Sequence, residues 1–157
     1  MTPLLAALLL AAQAEAAAEH VRARLETVGG ELQLVEMADG AGTLHRLRLG
    51  GRAFFDDDES ARVEVDARFP AEGPARLALL ALATGGSGCP SFFMVVEVEA
   101  GGAAHTSPRF GNCSPRARAR YVDGVLTVDL PAFGAAPAAR WSYAGGALRE
   151  VTARRAR

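Results

Sequence analysis

The sequence contains no lysine: all 17 basic residues are arginine. Together with the alanine content this reads as the coding bias of a GC-rich genome, so the arginine surplus carries little information about phosphate binding. Net charge is nearly absent as well, at −1, which leaves no global field to draw in nucleic acid or anionic lipid. Past the amino terminus no window shows a 3.6-residue apolar period longer than a turn or two, which argues against an α-helical core. The longest leading apolar run, Leu4 to Ala12, falls well short of the ~20 residues a membrane-spanning helix needs. Cysteine is limited to two residues and tryptophan to one.

Catalytic and cofactor signatures are also missing. Gly85-Gly-Ser-Gly88 has the small residues of a phosphate-cradling loop, but no Lys-Ser/Thr follows and no helix begins there. Ser87 does not sit in a G-x-S-x-G elbow, because Cys89 occupies the place of the last glycine. His20, His45 and His105 lack a Cys or His at metal-ligand spacing and read as surface or structural residues. The acidic run Asp56-Asp-Asp-Glu59 has no interior glycine. It cannot offer Ca²⁺ oxygens at alternating positions around a tight turn, so it reads as a solvated loop. No catalytic residue, metal ligand or cofactor is therefore assigned.

The amino-terminal residues read as a leader. The short apolar core from Leu4 is followed by small residues and two A-x-A sites, Ala12-Gln-Ala14 and Ala16-Ala-Ala18, the layout of a secretory signal peptide. Residues 1–18 are read as signal peptide and residues 19–157 as a single β domain. The expected location is periplasmic or secreted, with no transmembrane span in the mature chain. In an oxidising compartment two cysteines are most simply a structural disulfide. A redox pair would be expected as C-x-x-C at a helix start, where the thiolate is stabilised, and neither Cys89 nor Cys113 has that neighbourhood.

From Val21 onward, apolar and polar residues alternate with the period of a half-buried strand. Gly29-Gly30, Asp39-Gly40, Gly50-Gly51, Asp123-Gly124 and Gly145-Gly146 punctuate the runs as hairpin turns. The five Gly-Gly doublets begin at 29, 50, 85, 101 and 145. Their unequal spacing excludes a solenoid or propeller repeat. Leu77 to Ala83 is apolar at every position, which implies burial on both faces in the middle of the sheet system. The reading is all-β: an antiparallel sandwich or barrel of about nine to eleven short strands with one disulfide. The immunoglobulin version is disfavoured, because Trp141 lies after both cysteines and not between them. Phe92 to Val98 turns at Gly101-Gly102 and returns to Phe110. That hairpin brings Cys89 and Cys113 together across a loop of about 25 residues. Thr152 to Arg157 reads as a frayed basic tail.

The segments Gly85-Gly-Ser-Gly-Cys-Pro90 and Ser107-Pro-Arg-Phe-Gly-Asn-Cys-Ser114 resemble a pattern in uncharacterised exported proteins of proteobacteria. Those proteins have a G-G-x-x-C-P … F-G-x-C-S centre between strands. The similarity extends from the strand before Gly85 through Leu130. It implies export and a disulfide, and no activity attaches to the group.

Arg116, Arg118 and Arg120 recur every second residue, so they share one face of a strand and form the candidate contact for an anion or an acidic partner. With no aromatic residues interleaved on that face, nucleic acid is not the expected partner. The favoured expectation is a non-enzymatic exported binding domain acting on an unknown envelope protein or ligand. The alternatives are a small envelope enzyme with scattered loop-borne residues, or a structural part of an envelope assembly.

Overall fold

The structure is a computed structural model that describes residues 18–40 and 42–151, the side chain of Asp39 excepted. Apart from Ala18, the expected signal peptide with its A-x-A sites lies outside the described residues, as does the basic tail from Thr152. The described chain is all-β and antiparallel. Its strands are β1 (Glu19–Thr27), β2 (Gly30–Asp39), β3 (Gly42–Leu49), β4 (Arg52–Asp57), β5 (Arg62–Phe69), β6 (Leu77–Ala83) and β7 (Ser91–Val98). They continue as β8 (Ala104–Thr106), β9 (Phe110–Cys113), β10 (Arg118–Val122), β11 (Val125–Leu130), β12 (Ala139–Ala144) and β13 (Ala147–Glu150). There are thirteen strands where the alternation suggested nine to eleven. The return arm after β7 divides into β8 and β9, which have three and four residues, too few for a period to show in the sequence.

The strands form three sheets. An amino-terminal meander runs β1-β2-β3-β4, a central sheet runs β5-β6-β7-β8 with β9 also paired to β7, and a carboxy-terminal meander runs β10-β11-β12-β13. The burial pattern shows how they stack. Ala78, Leu80 and Leu82 of β6 join Leu34, Leu47 and Leu49 of the first sheet in one core. Leu77 and Leu79, on the opposite face of the same strand, join Leu126, Val128 and Leu130 of the third sheet in a second core. Successive side chains of a strand point to opposite faces. A strand apolar at every position therefore needs apolar cover on both sides, and β6 has it: Leu79 and Leu80 are both 0% exposed. The architecture is a three-layer sandwich with β6 and β7 at its centre.

The layers are held in register by close contacts and polar links. The turn between β1 and β2 abuts the β7–β8 turn, where a Cβ on Gly29 would lie 2.3 Å from the Glu99 carbonyl oxygen. Only a glycine fits that approach. Tyr143 of β12 donates a 2.6 Å hydrogen bond to Glu97 of β7, joining the third sheet to the central one. Burial, together with that bond to a carboxylate, pushes the phenol well above its ordinary pKa.

The acidic run departs from the solvated loop expected of it only in part: Asp58 and Glu59 follow β4 and are exposed, as is Asp56, whereas Asp57 is buried. Asp56 and Asp57 close β4, and Asp56 is bound by Arg46 across the strand pair at 2.7 Å. Asp57 is only 3% exposed. Its carboxylate accepts from the Ser60 hydroxyl at 2.8 Å and from the backbone N–H groups of Glu59 and Ser60. Arg109, from the β8–β9 connection, reaches both Asp57 at 2.8 Å and Glu59 at 2.6 Å. Burial alone would raise the Asp57 pKa. The hydrogen bonds from Ser60 and Glu59, with the Arg109 charge, outweigh it and hold the carboxyl below its ordinary range.

The disulfide joins Cys89 and Cys113 with Cα atoms 4.5 Å apart. It lies beside the backbone pair Ser91–Cys113, at the end of β7 where the Gly85–Gly88 loop returns to the sheet. The neck of that loop is also tied by Thr84, whose hydroxyl donates to the Cys89 carbonyl at 2.6 Å.

Candidate binding surface on the carboxy-terminal sheet

The third sheet is built on tight hairpins. Asp123-Gly124 makes a two-residue turn between the paired Val122 and Val125, with φ of 50° and 79°. Both values lie in the left-handed region that Asp and Gly tolerate best. With that register set, cross-strand partners share a face. Ala119, Tyr121, Leu126, Val128 and Trp141 face the core, so Arg118, Arg120, Asp129 and Arg140 fall on the outer face.

One row across this outer face reads Arg118, Asp129, Arg140. Asp129 is bound by Arg140 at 2.5 Å and less closely by Arg120 at 3.5 Å. The hydrogen bond from Arg140 is the main reason its carboxyl sits below the ordinary range. That leaves Arg118 and Arg116, both exposed, with no carboxylate partner among the described residues. They line an open cleft of about 820 Å³, which runs across the end of the sheet beneath the β11–β12 connection. Its apolar side includes Leu130, Pro131, Pro137 and Ala138. The arrangement offers two guanidinium groups without a carboxylate partner beside the apolar side of a cleft whose lining also includes Asp129, Arg140 and Glu150. Such a site can grip a carboxylate or phosphate while covering an attached apolar group.

The cleft wall is held from below by a residue the sequence reading passed over. Asn112 of β9 donates to the carbonyl oxygens of Pro131 and Pro137, both at 2.8 Å, and so pins the two ends of the β11–β12 connection. Its side-chain oxygen accepts from the Ser114 N–H at 3.1 Å. Asn112 precedes Cys113, so the disulfide and the cleft wall share one short segment. The sequence signal was an Asn before a Cys in an irregular stretch, which pointed to no partner.

Of the residues singled out in sequence, Arg116, Arg118 and Arg120 lie together along the open side of the third sheet, Arg116 just ahead of β10 and not within it. Cys89 and Cys113 meet in the disulfide. Ser60, Asp57 and His45 also come together, but not as a catalytic set. The Ser60 hydroxyl donates to Asp57, and the His45 Nε2 lies 3.1 Å from the Ser60 backbone carbonyl. All three are buried. A nucleophile needs its hydroxyl on the imidazole and open to substrate, so this cluster is a structural polar knot between the first two sheets. His105 pairs with Glu99 at the surface, and His20 borders a smaller recess of about 390 Å³ beside Arg22 and Glu64. Among the described residues no three His, Cys, Asp or Glu side chains converge as a metal site, and no helix is long and apolar enough to cross a membrane.

The fold and the surface thus define an all-β, three-layer protein with an open cleft on an outer sheet, lined by Arg116 and Arg118 together with apolar and acidic residues. No protein-family model, curated protein or solved structure matches the chain.

Proposed function

We propose that the protein is an exported, non-enzymatic binding domain of the bacterial cell envelope. Its ligand or partner presents an anionic group to Arg116, Arg118 and Arg120. The observation that carries this reading is the pair of guanidinium groups at Arg116 and Arg118, exposed without a carboxylate partner among the described residues and set on a cleft whose lining includes Leu130, Pro131, Pro137 and Ala138. On an ordinary surface an arginine is screened or loosely paired, and contributes little. Two unpaired ones beside those apolar residues supply both an anchoring charge and a desolvating wall. The Cys89–Cys113 disulfide agrees with an oxidising compartment, and the resemblance to exported proteobacterial proteins points the same way.

The test is capture of envelope components by the immobilised mature protein, compared with the double variant Arg116→Ser/Arg118→Ser. The components retained by the native surface should be lost from the variant and should elute with moderate salt. Equal capture by both proteins would remove this surface from the function.

A further inference from the structure

The three sheets have edges of two kinds. In the first two sheets every edge is interrupted. β1 carries an extra residue at Arg22, between Val21 and Ala23, and β4 carries one at Phe54. β5 carries one at Asp66, between Val65 and Ala67. On the other side of the central sheet, β8 is three residues long and β9 slips register against β7. Bulges, short strands and charged side chains are among the means by which proteins keep open edges from pairing with other chains. In the third sheet β13 is again short, at four residues. β10 has no bulge over its five residues and is marked instead by the charges of Arg118 and Arg120, which an acidic partner would neutralise. β10 and β13 run in unbroken register from end to end.

The turn register also shows which backbone groups the β10 edge leaves open. Val122 and Val125 close a two-residue turn, so they exchange hydrogen bonds, and pairing alternates from there. Arg120 and Arg118 therefore direct their backbone groups to β11, and Tyr121 and Ala119 direct theirs outward. No other backbone hydrogen bond in the described residues takes them up. The same rule predicts that Arg140 and Val151 exchange bonds at the β12–β13 end, where the Val151 N–H does donate to the Arg140 carbonyl at 2.7 Å.

We infer that the β10 edge receives an extended segment of a partner protein as an added strand, and that the segment alternates acidic with small apolar residues. The inference rests on the proposed binding role of the same arginines and specifies the partner's chemistry. An added strand would hydrogen-bond to the outward groups of Ala119 and Tyr121. Its residues opposite Arg118 and Arg120 would then occupy non-hydrogen-bonded positions, where side chains approach most closely. Those positions call for Asp or Glu. The intervening residues would face the core side, beside the half-buried Ala119 and Tyr121, which pack against the second core. They call for small apolar side chains. A second copy of this chain is a poor occupant, because β10 against β10 would set arginines beside arginines. The edge of β13 is shorter and of mixed charge, with Arg149 beside Glu150, so it lacks this selectivity.

The probe is a blocked peptide of about seven residues alternating glutamate and valine, a strand's usual length. Binding to the mature protein is followed by amide exchange and chemical shifts. The Ala119 and Tyr121 amides should exchange freely in the free protein and become protected on binding. A form of the peptide N-methylated at alternate residues on its pairing edge should bind at least about tenfold more weakly, since backbone pairing supplies the affinity in strand addition. Arg118→Ser/Arg120→Ser should weaken the unmodified peptide by about tenfold, roughly threefold for each exposed pair, and a lysine–valine peptide should not bind. Equal binding of the methylated and unmethylated forms, without protection of Ala119 and Tyr121, would leave the anion surface standing and overturn strand addition. Failure of the peptide and of inorganic phosphate alike would overturn both readings. Self-association with those two amides already protected would assign the edge to a second copy and overturn the proposal.

Discussion

Removing the disulfide tests how the centre of the sandwich is held. Cys89 and Cys113 are 24 residues apart in sequence and 4.5 Å apart at Cα, and they enclose β7, β8 and β9. β7 is the partner of β6 along its whole length, so the enclosed segment includes half of the central strand pair. In the chain-entropy description, opening a loop of about 25 residues releases roughly 3.5 kcal/mol of constraint from the unfolded chain. Unfolding entropy near 2.1 cal/mol/K per residue converts this to a fall of about 10 °C in Tm for a domain of this size. Cys89→Ala and Cys113→Ala should each show that fall in a calorimetric melt. The double variant should be little worse than either, because one bond is lost only once. The hairpin pairing of β7 with β9 survives in all three, so they should remain folded at room temperature. An unchanged Tm in the single variants, or two thiols titrating in the unreduced native protein, would refute the reasoning.

Other consequences are more local. Asp57 has its pKa depressed by the Ser60 and Glu59 hydrogen bonds and by Arg109, against the opposing effect of burial. Its contribution to stability is therefore complete above about pH 4, the unfolded value, and disappears as pH falls through the lower folded value. Asp57→Asn should cost about 3 kcal/mol at neutral pH and flatten the acid limb of a urea-unfolding series, whereas an acid limb as steep as that of the native protein would count against it. Leu79→Ala and Leu80→Ala should each cost about 3 kcal/mol, since the two side chains fill separate cores at 0% exposure. A near-neutral result at either would mean that one face of β6 is open. Intact-mass measurement of protein from the envelope fraction should place the cleavage between Ala14 and Glu19, and a mass equal to that of the full chain from Met1 would contradict processing.

Much of the fold was legible in the residues. Period-2 alternation and the Gly-Gly and Asp-Gly dipeptides marked most strands and turns, because side-chain direction and positive φ are local properties. The unbroken apolar run of β6 announced burial on both faces, and the hairpin between the cysteines announced their pairing. What the residues alone determined was thus the all-β class, the central position of β6 and the Cys89–Cys113 partnership. Three things were decided only by tertiary packing. The division into three sheets depends on which strands meet across the chain, and alternation looks the same in a barrel and in a stack. The burial of Asp57 depends on Arg109, 52 residues away, and a run of four acids reads as solvated until a cation from another sheet arrives. The freedom of Arg116 and Arg118 follows from Asp129 being taken by Arg140 of the next strand, and the cleft below them from Asn112 clamping Pro131 and Pro137. Such long-range pairings join residues that no local pattern relates, and they determine which charges on the surface stay free to bind.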